Sequence, residues 1–453
     1  MIKVNYYNCL KDEYLKNGLK ESQILNNKYE KSLKKAIINK SHKMMDWLDL
    51  PYQDKDLVNE IQLFGKKISR LYQNFVVIGI GGSALGAKAI KNSLYDTTTQ
   101  EDKINVEVID NVDAECFDNL LKRINVKKTM FNIVTKSGTT VEIISMFAVI
   151  LEKLKNELGE DFFVNIVVTT GKDNVLWNYC QENKIKTYEI PANVGGRYSV
   201  LTPVGLLPSA VMGINLTDLL LGAKKILEDF KQKESNKNIC YVSAMINCNY
   251  ILNGKTEYVL LPYTNRLNCM ADFYIQLLSE SLGKELLLNG KPNKTFFTPT
   301  KALGVTYQHS LLQMYQEGAK DRLFCFINVE KTSIDVKVPK IKNAGLDVFL
   351  PKTLNTLNKQ EQLGSMCALK KGGNPSYNLI IPVLNAENVG ALLFYFELTT
   401  CLMAEIFNIN AFDQNGVEMQ KKFTKALIGV KGFEEQAKEL ESMTKNIDKY
   451  LLK

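Results

Sequence analysis

The chain has 453 residues, of which 45% are hydrophobic and 23% charged, and its formal net charge is +8. This composition is typical of globular proteins, and the length allows two or three domains. Lysine is spread along the sequence among acidic residues, so no basic block indicates a nucleic-acid-binding arm.

Cysteine, histidine and hydropathy patterns restrict the compartment and the chemistry. The nine cysteines include no CxxC pair, which favours a reduced, cytoplasmic setting. Residues 1–10 lack a basic start followed by an apolar core, so we expect no secretion signal. The most apolar long segment, residues 390–407, contains Glu397 and Glu405, which predicts a buried helix rather than a membrane span. With only two histidines and no cluster of cysteine and histidine, we expect no metal site.

Helical periodicity dominates residues 1–70, and strands then alternate with helices. Strands are predicted at residues 75–80, 106–109, 130–134, 164–169, 186–190, 258–261, 324–329 and 379–383. Helices are predicted at residues 84–94, 141–158, 173–183, 203–211, 216–231, 239–252, 270–282, 311–316, 385–407 and 432–452. This alternation predicts an α/β, doubly wound fold whose sheet pattern repeats weakly in the second half.

A hydroxyl-rich loop separates the strand predicted at residues 130–134 from the helix predicted at residues 141–158. It reads Thr135-Lys136-Ser137-Gly138-Thr139-Thr140. The first N–H groups of a helix have no internal partner, and the helix dipole favours an anion there. One hydroxyl would suffice to cap the helix, which is the structural alternative, whereas this loop offers four hydroxyls and a lysine. The pattern therefore predicts a phosphate cradle.

A glycine-rich loop, Gly79-Ile80-Gly81-Gly82-Ser83-Ala84, ends the strand predicted at residues 75–80. It matches the G-x-G-x-x-A dinucleotide fingerprint, and Asp110 ends the next strand, near where a ribose-binding acid would sit. The double glycine followed by serine fits a small phosphate at least as well, and tight packing of helix on sheet is the structural alternative. A dinucleotide enzyme stays an alternative, although it leaves the hydroxyl-rich loop unexplained.

Three further segments carry side chains suited to catalysis. Arg197 follows Gly195-Gly196 and offers a planar donor fork for an oxyanion, unless it lies in a solvated surface turn. Gln276 and Glu280 share one face of the helix predicted at residues 270–282. A single carboxylate there could move a proton between neighbouring carbons, and a solvated glutamate at a helix end is the alternative. His309 stands where a loop meets a helix, a position that by itself favours a structural role.

Five segments in this order and spacing resemble the glucose-6-phosphate isomerase family. They are Gly79-Ile80-Gly81-Gly82-Ser83, Thr135-Lys136-Ser137-Gly138-Thr139-Thr140, Gly195-Gly196-Arg197-Tyr198-Ser199, Glu280-Ser281-Leu282-Gly283-Lys284, and Gln414-Asn415-Gly416-Val417-Glu418 with Lys421 beyond. Gln308-His309-Ser310 lies between the last two. Each segment is modest alone, but their ordered co-occurrence over residues 79–421 is highly specific, and the length resembles the shorter bacterial members.

The resemblance implies two sugar-isomerase (SIS) domains, each a mainly parallel sheet flanked by helices. We place an N-terminal helical segment at residues 1–70, a first SIS domain at 71–215, a second at 216–410, and a C-terminal helical segment at 411–453. It also implies reversible conversion of glucose 6-phosphate and fructose 6-phosphate in glycolysis and gluconeogenesis, without cofactor or metal, by a cytoplasmic homodimer. Neither nucleic acid nor membrane is an expected partner.

The resemblance also implies the roles of individual residues. The phosphate would be held by Ser83, Thr135, Lys136, Ser137 and Thr140. The substrate would also contact Gly82 and Gly196, and Gln276 and Gln414 would reach its hydroxyls. Glu280 would be the base that moves a proton between C1 and C2, and Arg197 would stabilise the enediolate. His309, contributed by the partner subunit, and Lys421 would assist ring opening, although Lys421 alone would be read as solvated surface.

Three positions depart from the family pattern. Thr135 replaces the usual serine but keeps the hydroxyl, Asn415 replaces the usual proline, and Tyr307 stands where bacterial members often have an acid. These departures concern the details of ring opening rather than the class of reaction. A non-catalytic SIS-type regulator that binds phosphosugars stays the second hypothesis, but it would not require Glu280, His309 and Lys421 together.

Overall fold

The computed structural model describes residues 1–95, 103–341, 345–347 and 350–452. The chain forms two compact units, Met1–Asn410 and Ala411–Lys453. The strands of the described chain are β1 Lys3–Asn5, β2 Asn74–Ile78, β3 Asn105–Ile109, β4 Thr129–Thr135, β5 Ile166–Thr170, β6 Lys186–Glu189, β7 Glu257–Pro262, β8 Thr298–Lys301, β9 Arg322–Val329 and β10 Ser376–Ile381. The α-helices are α1 Glu21–Ile24, α2 Glu30–Ile38, α3 Lys55–Leu71, α4 Leu85–Leu94, α5 Ala114–Arg123, α6 Val141–Leu158, α7 Val175–Glu182, α8 Pro203–Val211, α9 Leu216–Gln232, α10 Ile239–Leu252, α11 Asn268–Leu282, α12 Leu312–Glu317, α13 Leu354–Lys371, α14 Ala386–Phe407, α15 Glu418–Leu427 and α16 Glu434–Thr444.

The first sheet is parallel throughout, with the strand order β3-β2-β4-β5-β6. The chain passes from β2 to β3 on one side and then crosses to β4 on the other side, so the strand order reverses between β2 and β4. Ligands of such sheets bind at the carboxyl ends of the strands where this reversal occurs. The glycine-rich loop follows β2 and the hydroxyl-rich loop follows β4, so both lie at this crevice.

The second sheet has the order β1-β10-β9-β7-β8. Strands β7 to β10 are parallel, and they are connected in the same pattern as β2 to β5. The short strand β1 pairs antiparallel with β10, with Lys3 opposite Ile380. The predicted repeat of the sheet pattern is therefore confirmed, as is the mixed α/β fold with two mainly parallel sheets.

Most predicted elements match observed ones within a few residues, but four were missed. Strand β1 lies inside the segment predicted as helical, and β8, α5 and α13 were not predicted. A three- or four-residue strand carries too little periodicity to recognise, and its pairing partners are hundreds or tens of residues away. The predicted domain boundaries stay predictions, since both sheets fall in one compact unit.

Helix α14 forms the centre of the larger unit and packs against α9, α10 and α11. Glycines allow α9 and α14 to cross closely. A Cβ at Gly222 would lie 1.8 Å from the Glu387 carbonyl oxygen, and one at Gly390 would lie 1.9 Å from that of Leu219. By length and composition α14 could span a membrane, but 89% of its most apolar window is buried inside the protein. The predicted buried helix is therefore confirmed.

One carboxyl group in α14 has an unusual environment. Glu397 is 0% exposed, and neither of its carboxyl oxygens has a hydrogen-bond partner among the described residues. Burial raises the pKa of this carboxyl well above its ordinary value of 4.5, because the charged form would lose its hydration. The folded protein therefore keeps Glu397 protonated at pH values where the unfolded chain has released the proton.

This difference predicts a pH-dependent gain in stability for Glu397→Gln. A carboxyl whose pKa is raised on folding contributes fully below about pH 4.5, and its contribution falls as the pH rises toward the folded-state pKa. The free energy of unfolding of the variant, relative to wild type, should therefore rise above pH 5 by roughly 1 kcal/mol per pH unit. Urea titrations at pH 5 to 8 measure it. Exposed Glu152→Gln is the control, and a difference independent of pH would contradict the assignment.

Candidate active site

The glycine-rich loop after β2 touches the loop that carries Arg197. Gly81 has a φ of 56°, a left-handed conformation that glycine adopts without strain. A Cβ at Gly82 would lie 2.3 Å from the Gly196 carbonyl oxygen and 2.7 Å from the Arg197 nitrogen. The two backbones are therefore in direct contact, and only glycine fits at position 82.

The hydroxyl-rich loop gathers its side chains at the N-terminus of α6. The Thr140 hydroxyl lies 2.8 Å from that of Thr135 and 3.3 Å from that of Ser137. Thr140 occupies the cap position, but its side chain accepts no hydrogen bond from the helix. Among the described residues, nothing accepts from the amides of Val141 and Glu142. The loop thus combines three clustered hydroxyls with open helix amides, which is the chemistry of an anion site.

Lys136 links this loop to the loop that carries Arg197, which we call the arginine loop. Its ammonium donates to the carbonyl oxygens of Ala192 and Val194, each at 2.8 Å. Burial lowers the pKa of this ammonium, because its charged form is partly removed from water. A lysine has three N–H donors, so one stays available for a ligand. The Lys136 side chain thus connects the two loops, and its predicted contact with phosphate stays a prediction.

Asn174 supports the hydroxyl-rich loop through hydrogen bonds of its side chain, a role that the sequence did not suggest. Its amide nitrogen donates to the Lys136 carbonyl oxygen at 3.1 Å and to the Thr170 hydroxyl at 2.9 Å. Its amide oxygen caps α7 by accepting from the Trp177 amide at 2.8 Å. Gly138 has a φ of 68°, and a Cβ there would lie 2.4 Å from that oxygen. The sequence signal that could have indicated this capping role is an asparagine directly before a helix.

Glu280 has defined hydrogen bonds to both carboxylate oxygens. Arg197 Nη1 donates to Oε2 at 3.1 Å, and Gln276 Nε2 donates to Oε1 at 2.9 Å. The Arg197 side chain is 3% exposed and that of Glu280 is 30% exposed. The carboxylate is therefore held in one orientation while it remains accessible from the solvent side, as a base requires.

Ser281 and Tyr198 hold the arginine from behind. Arg197 Nε donates to the Ser281 hydroxyl at 2.8 Å, and the Tyr198 hydroxyl lies 3.3 Å from the same oxygen. The Tyr198 ring stacks on Trp47 at 5.0 Å between centroids. Ser281 is next to Glu280 in α11, so one helix contacts the guanidinium through two neighbouring side chains. The sequence segment containing Ser281 was recognised, but this role was not.

Contacts with α4 fix the position of α11 against the first sheet. Arg266 Nη2 donates to the Ser93 carbonyl oxygen at 2.5 Å, and the Cys269 amide donates to Asn92 Oδ1 at 3.1 Å. At the other end of the helix, Gln276 Nε2 would lie 2.9 Å from a Cβ on Gly81. Helix α11, which follows β7 of the second sheet, therefore places Gln276 and Glu280 over the loops of the first sheet.

The structure brings most of the predicted site residues together. Four contacts connect the loops and α11 into a ring: Gly82 to Gly196 through backbone, Lys136 and Gln276 through their side chains to the backbone near Val194 and Gly81, and Arg197 to Glu280 through side chains. Ser83, Ser137 and Thr140 lie on the same loops at the carboxyl ends of β2 and β4. Proximity among these residues was expected from the resemblance and is observed, while their roles stay predictions.

The other three predicted residues are described separately. His309 is exposed, in a 3-10 turn at Thr306–His309, and within the described chain no hydrogen bond or ion pair connects it to Glu280 or Arg197. Gln414 and Lys421 belong to the smaller unit. The Lys421 ammonium there donates to Glu418 at 2.8 Å on the exposed face of α15.

The dinucleotide alternative requires Asp110 as the acid that binds the ribose. Asp110 forms an ion pair with the Lys88 ammonium at 2.6 Å, so its carboxylate is already engaged. In the parts of the chain that the structure describes, no group of three or more His, Cys, Asp or Glu side chains could hold a metal ion.

The contact between the two glycine-containing loops predicts a strong effect of Gly82→Ala. The added methyl group would press on the Gly196 backbone, so we expect the free energy of unfolding to fall by about 1–3 kcal/mol. Gly195→Ala is the matched control, because a Cβ there would meet only Tyr198 Cδ2 at 3.8 Å. Chemical denaturation measures both variants. If Gly82→Ala were as stable as Gly195→Ala, the close contact would be wrong.

Comparisons with known proteins agree with this geometry. A family model described as phosphoglucose isomerase matches residues 55–447. A glucose-6-phosphate isomerase of Carboxydothermus hydrogenoformans is 38% identical over 97% of this chain and 97% of its own length. One from Thermus thermophilus is 34% identical over 84% of this chain and 89% of its own length.

Two solved structures share the fold along most of the chain. A hypothetical protein from Thermus thermophilus aligns with a TM-score of 0.86 and 30% identity over 95% of this chain and all of its own. A glucose-6-phosphate isomerase from Chlamydia trachomatis aligns with a TM-score of 0.83 and 20% identity, over 98% of this chain and 91% of its own. With a family model over most of its length and relatives above 30% identity, this chain belongs to the phosphoglucose isomerase family.

Proposed function

We propose that this chain interconverts glucose 6-phosphate and fructose 6-phosphate, with Glu280 as the base. The activity rests on membership of the family and on relatives named glucose-6-phosphate isomerase that match along nearly the whole chain. The observation that supports the role of Glu280 is its orientation by Arg197 and Gln276 beside the loops of the first sheet. The comparisons favour this isomerase over a non-catalytic regulator.

In the forward direction, the Glu280 carboxylate takes the proton from C2 of the open-chain aldose. The electrons of the C2–H bond form the C1–C2 double bond, and the C1 carbonyl oxygen gains negative charge. In the resulting cis-enediolate the hydroxyl proton of O2 moves to O1, which leaves the negative charge on O2. The charge on O2 then forms the C2 carbonyl, and the electrons of the C1–C2 double bond take up the proton from Glu280 at C1. One carboxyl group serves both steps because C1 and C2 are neighbours on one face of the intermediate.

Arg197 would stabilise the negative charge that develops on the oxygens of C1 and C2. Its guanidinium is almost fully buried, so its attraction to an oxyanion is only weakly screened by water. Ser281 and Glu280 already fix its direction, and little reorganisation would be needed during the reaction. In the same way, Gln276 would orient Glu280 and contact a substrate hydroxyl.

The two loops of the first sheet would hold the phosphate. Ser83, Thr135, Ser137 and Thr140 would supply hydroxyl donors, and the open amides at the start of α6 would add backbone donors. Gly82 and Gly196, which have no side chains, would let the substrate approach the backbone. Binding energy from the phosphate would orient C1 and C2 without taking part in the proton transfer.

Ring opening and recognition of the sugar hydroxyls would use three further residues. We propose that His309 and Lys421 move the proton between O1 and O5, and that Gln414 contacts a sugar hydroxyl. The motifs that contain these residues support the proposal. His309 is exposed on its own chain, as expected for a side chain that serves the site of a partner subunit in a homodimer.

Replacing the proposed base tests the mechanism directly. Glu280→Gln keeps the side-chain shape but cannot accept the proton, so kcat should fall by about 10²–10⁴-fold. Binding of fructose 6-phosphate, measured by calorimetry, should stay within a few-fold of wild type. Exchange of the C2 proton with solvent, followed by NMR in heavy water, should disappear together with turnover.

The nearby exposed Glu285→Gln serves as the matched control and should keep wild-type kcat. Full turnover in Glu280→Gln would remove the assignment of this residue as the base. Tight binding with no isomerisation by the wild-type protein would instead favour the phosphosugar-binding regulator.

A mixing experiment tests whether His309 acts across a dimer interface. Glu280→Gln and His309→Ala homodimers should each be nearly inactive. After subunit exchange, half of the dimers would be hybrids, each with one intact site formed by Glu280 of one subunit and His309 of the other. Activity should recover to about one quarter of wild type.

A tagged double variant, Glu280→Gln with His309→Ala, is the control partner. Its hybrids with Glu280→Gln subunits contain no intact site and should stay inactive. No recovery in the first mixture, once hybrid formation is verified by mass spectrometry, would show that His309 does not serve the partner's site.

We also infer a cytoplasmic location. The relatives are named for a reaction whose sugar phosphates are substrates of glycolysis and gluconeogenesis. The cysteines support this inference, since all nine are free thiols. Cell fractionation with an antibody to the chain would test it.

A further inference from the structure

The second sheet contains a crevice at the same topological position as the candidate active site. Its strand order reverses between β7 and β9, just as that of the first sheet reverses between β2 and β4. A cavity of about 270 Å³ lies at the carboxyl ends of β7 and β9. This volume is close to the lower limit of the roughly 300–1,000 Å³ typical of small-molecule sites.

Three segments line this second crevice with polar side chains. Tyr263, Thr264 and Asn265 follow β7, and Asn328 lies near the end of β9. Helix α13 contributes Asn355, Asn358 and Gln362, which are spaced three and four residues apart and therefore share one face. Amides and hydroxyls thus predominate in the described lining.

Several of these amides lack partners. Gln362 is 5% exposed, and its amide nitrogen donates to Asn378 Oδ1 at 3.2 Å. Asn328 Oδ1 is buried and has no partner among the described residues. Asn358 is half-buried and makes no side-chain hydrogen bond to any described residue. A buried acceptor without a partner loses free energy, and an accessible amide can exchange hydrogen bonds with a ligand, so the lining favours a ligand rich in hydroxyls.

The charges in the second crevice differ from those in the first. The amides at the start of α13 already donate to protein groups: Leu354 to the Val336 carbonyl oxygen, Asn355 to Asp335 Oδ1 at 3.2 Å, and Thr356 to the Thr353 hydroxyl at 3.1 Å. The Asp335 carboxylate thus occupies the position that a phosphate would take at a helix N-terminus.

The cation in the described lining makes one hydrogen bond, which leaves two of its three N–H donors for the oxygens of a ligand. The Lys359 ammonium donates to the Glu330 carbonyl oxygen at 3.0 Å, at the outer edge of the crevice. An anionic ligand would find no open helix terminus in the described lining. A neutral ligand rich in hydroxyls does not require one, and its oxygens can accept from Lys359.

We propose that this crevice is a second, non-catalytic site that binds an uncharged sugar or sugar alcohol through its hydroxyls. Gln362 and Asn328 accept hydrogen bonds from the ligand, and Asn358 both donates and accepts. The first crevice offers open helix amides, whereas the amides at the start of α13 already donate to protein groups. The proposal does not depend on the catalytic roles assigned to Glu280 or Arg197.

Saturation-transfer NMR with sorbitol tests this site in the intact protein. Sorbitol has no phosphate and no carbonyl group, so it cannot be isomerised. The active site is first filled with an equilibrium mixture of glucose 6-phosphate and fructose 6-phosphate at saturating concentration. Sorbitol should still show saturation transfer, and added inorganic phosphate should not remove it.

Three variants locate the signal. Asn358→Ala and Gln362→Leu each remove ligand hydrogen bonds and should weaken sorbitol binding at least about five-fold. Gln360→Ala, on the same helix but outside the lining, is the matched control and should bind like wild type. All three should keep wild-type isomerase activity, which shows that they are folded.

Each other outcome overturns the proposal. These outcomes are no transfer to sorbitol in the wild type, loss of transfer when the phosphosugars are added, displacement by inorganic phosphate, or undiminished transfer in Asn358→Ala.

Discussion

A buried guanidinium organises the candidate site. Arg197 is 3% exposed, and a charge so removed from water is costly unless it is paired and hydrogen-bonded. Its partners, Glu280 and Ser281, are consecutive residues near the end of α11. Because this charge must be paired, the loop that carries Arg197 is held against α11, the helix that follows β7 of the second sheet.

Close backbone contacts provide the other half of this arrangement. Gly82 lies directly against Gly196, and the Lys136 ammonium binds carbonyl oxygens of the same arginine loop. The glycine, hydroxyl and arginine loops are therefore fixed relative to one another before any substrate binds. Because these groups are already oriented, their hydrogen bonds and charges can act on a transition state without a further free-energy cost of reorientation.

The two sheets share one topology. Each is wound so that the strand order reverses at a crevice, but the ends of the helices differ. The N-terminal amides of α6 are open, whereas those of α13 are satisfied by Asp335, Val336 and Thr353. Neither the strand order nor the hydrophobic pattern encodes this difference.

The sequence by itself determined the fold class, the positions of most strands and helices, and the loops that carry the site. These follow from local signals: apolar runs, glycines at sharp turns, and hydroxyls before helices. It also determined the family, because the motifs occur in a specific order. Strand β1 and helix α13 escaped prediction, since their periodicity was too weak or too short.

Only the tertiary structure decided which groups touch. Lys136 was predicted to contact phosphate, and the structure adds that its ammonium donates to two carbonyl oxygens far along the chain and that Asn174 supports the same loop. Glu280 is separated from Arg197 by 83 positions. A hydrogen bond depends on distances of a few tenths of an ångström. Those distances are set by the packing of whole helices and sheets, which no local pattern in the sequence contains.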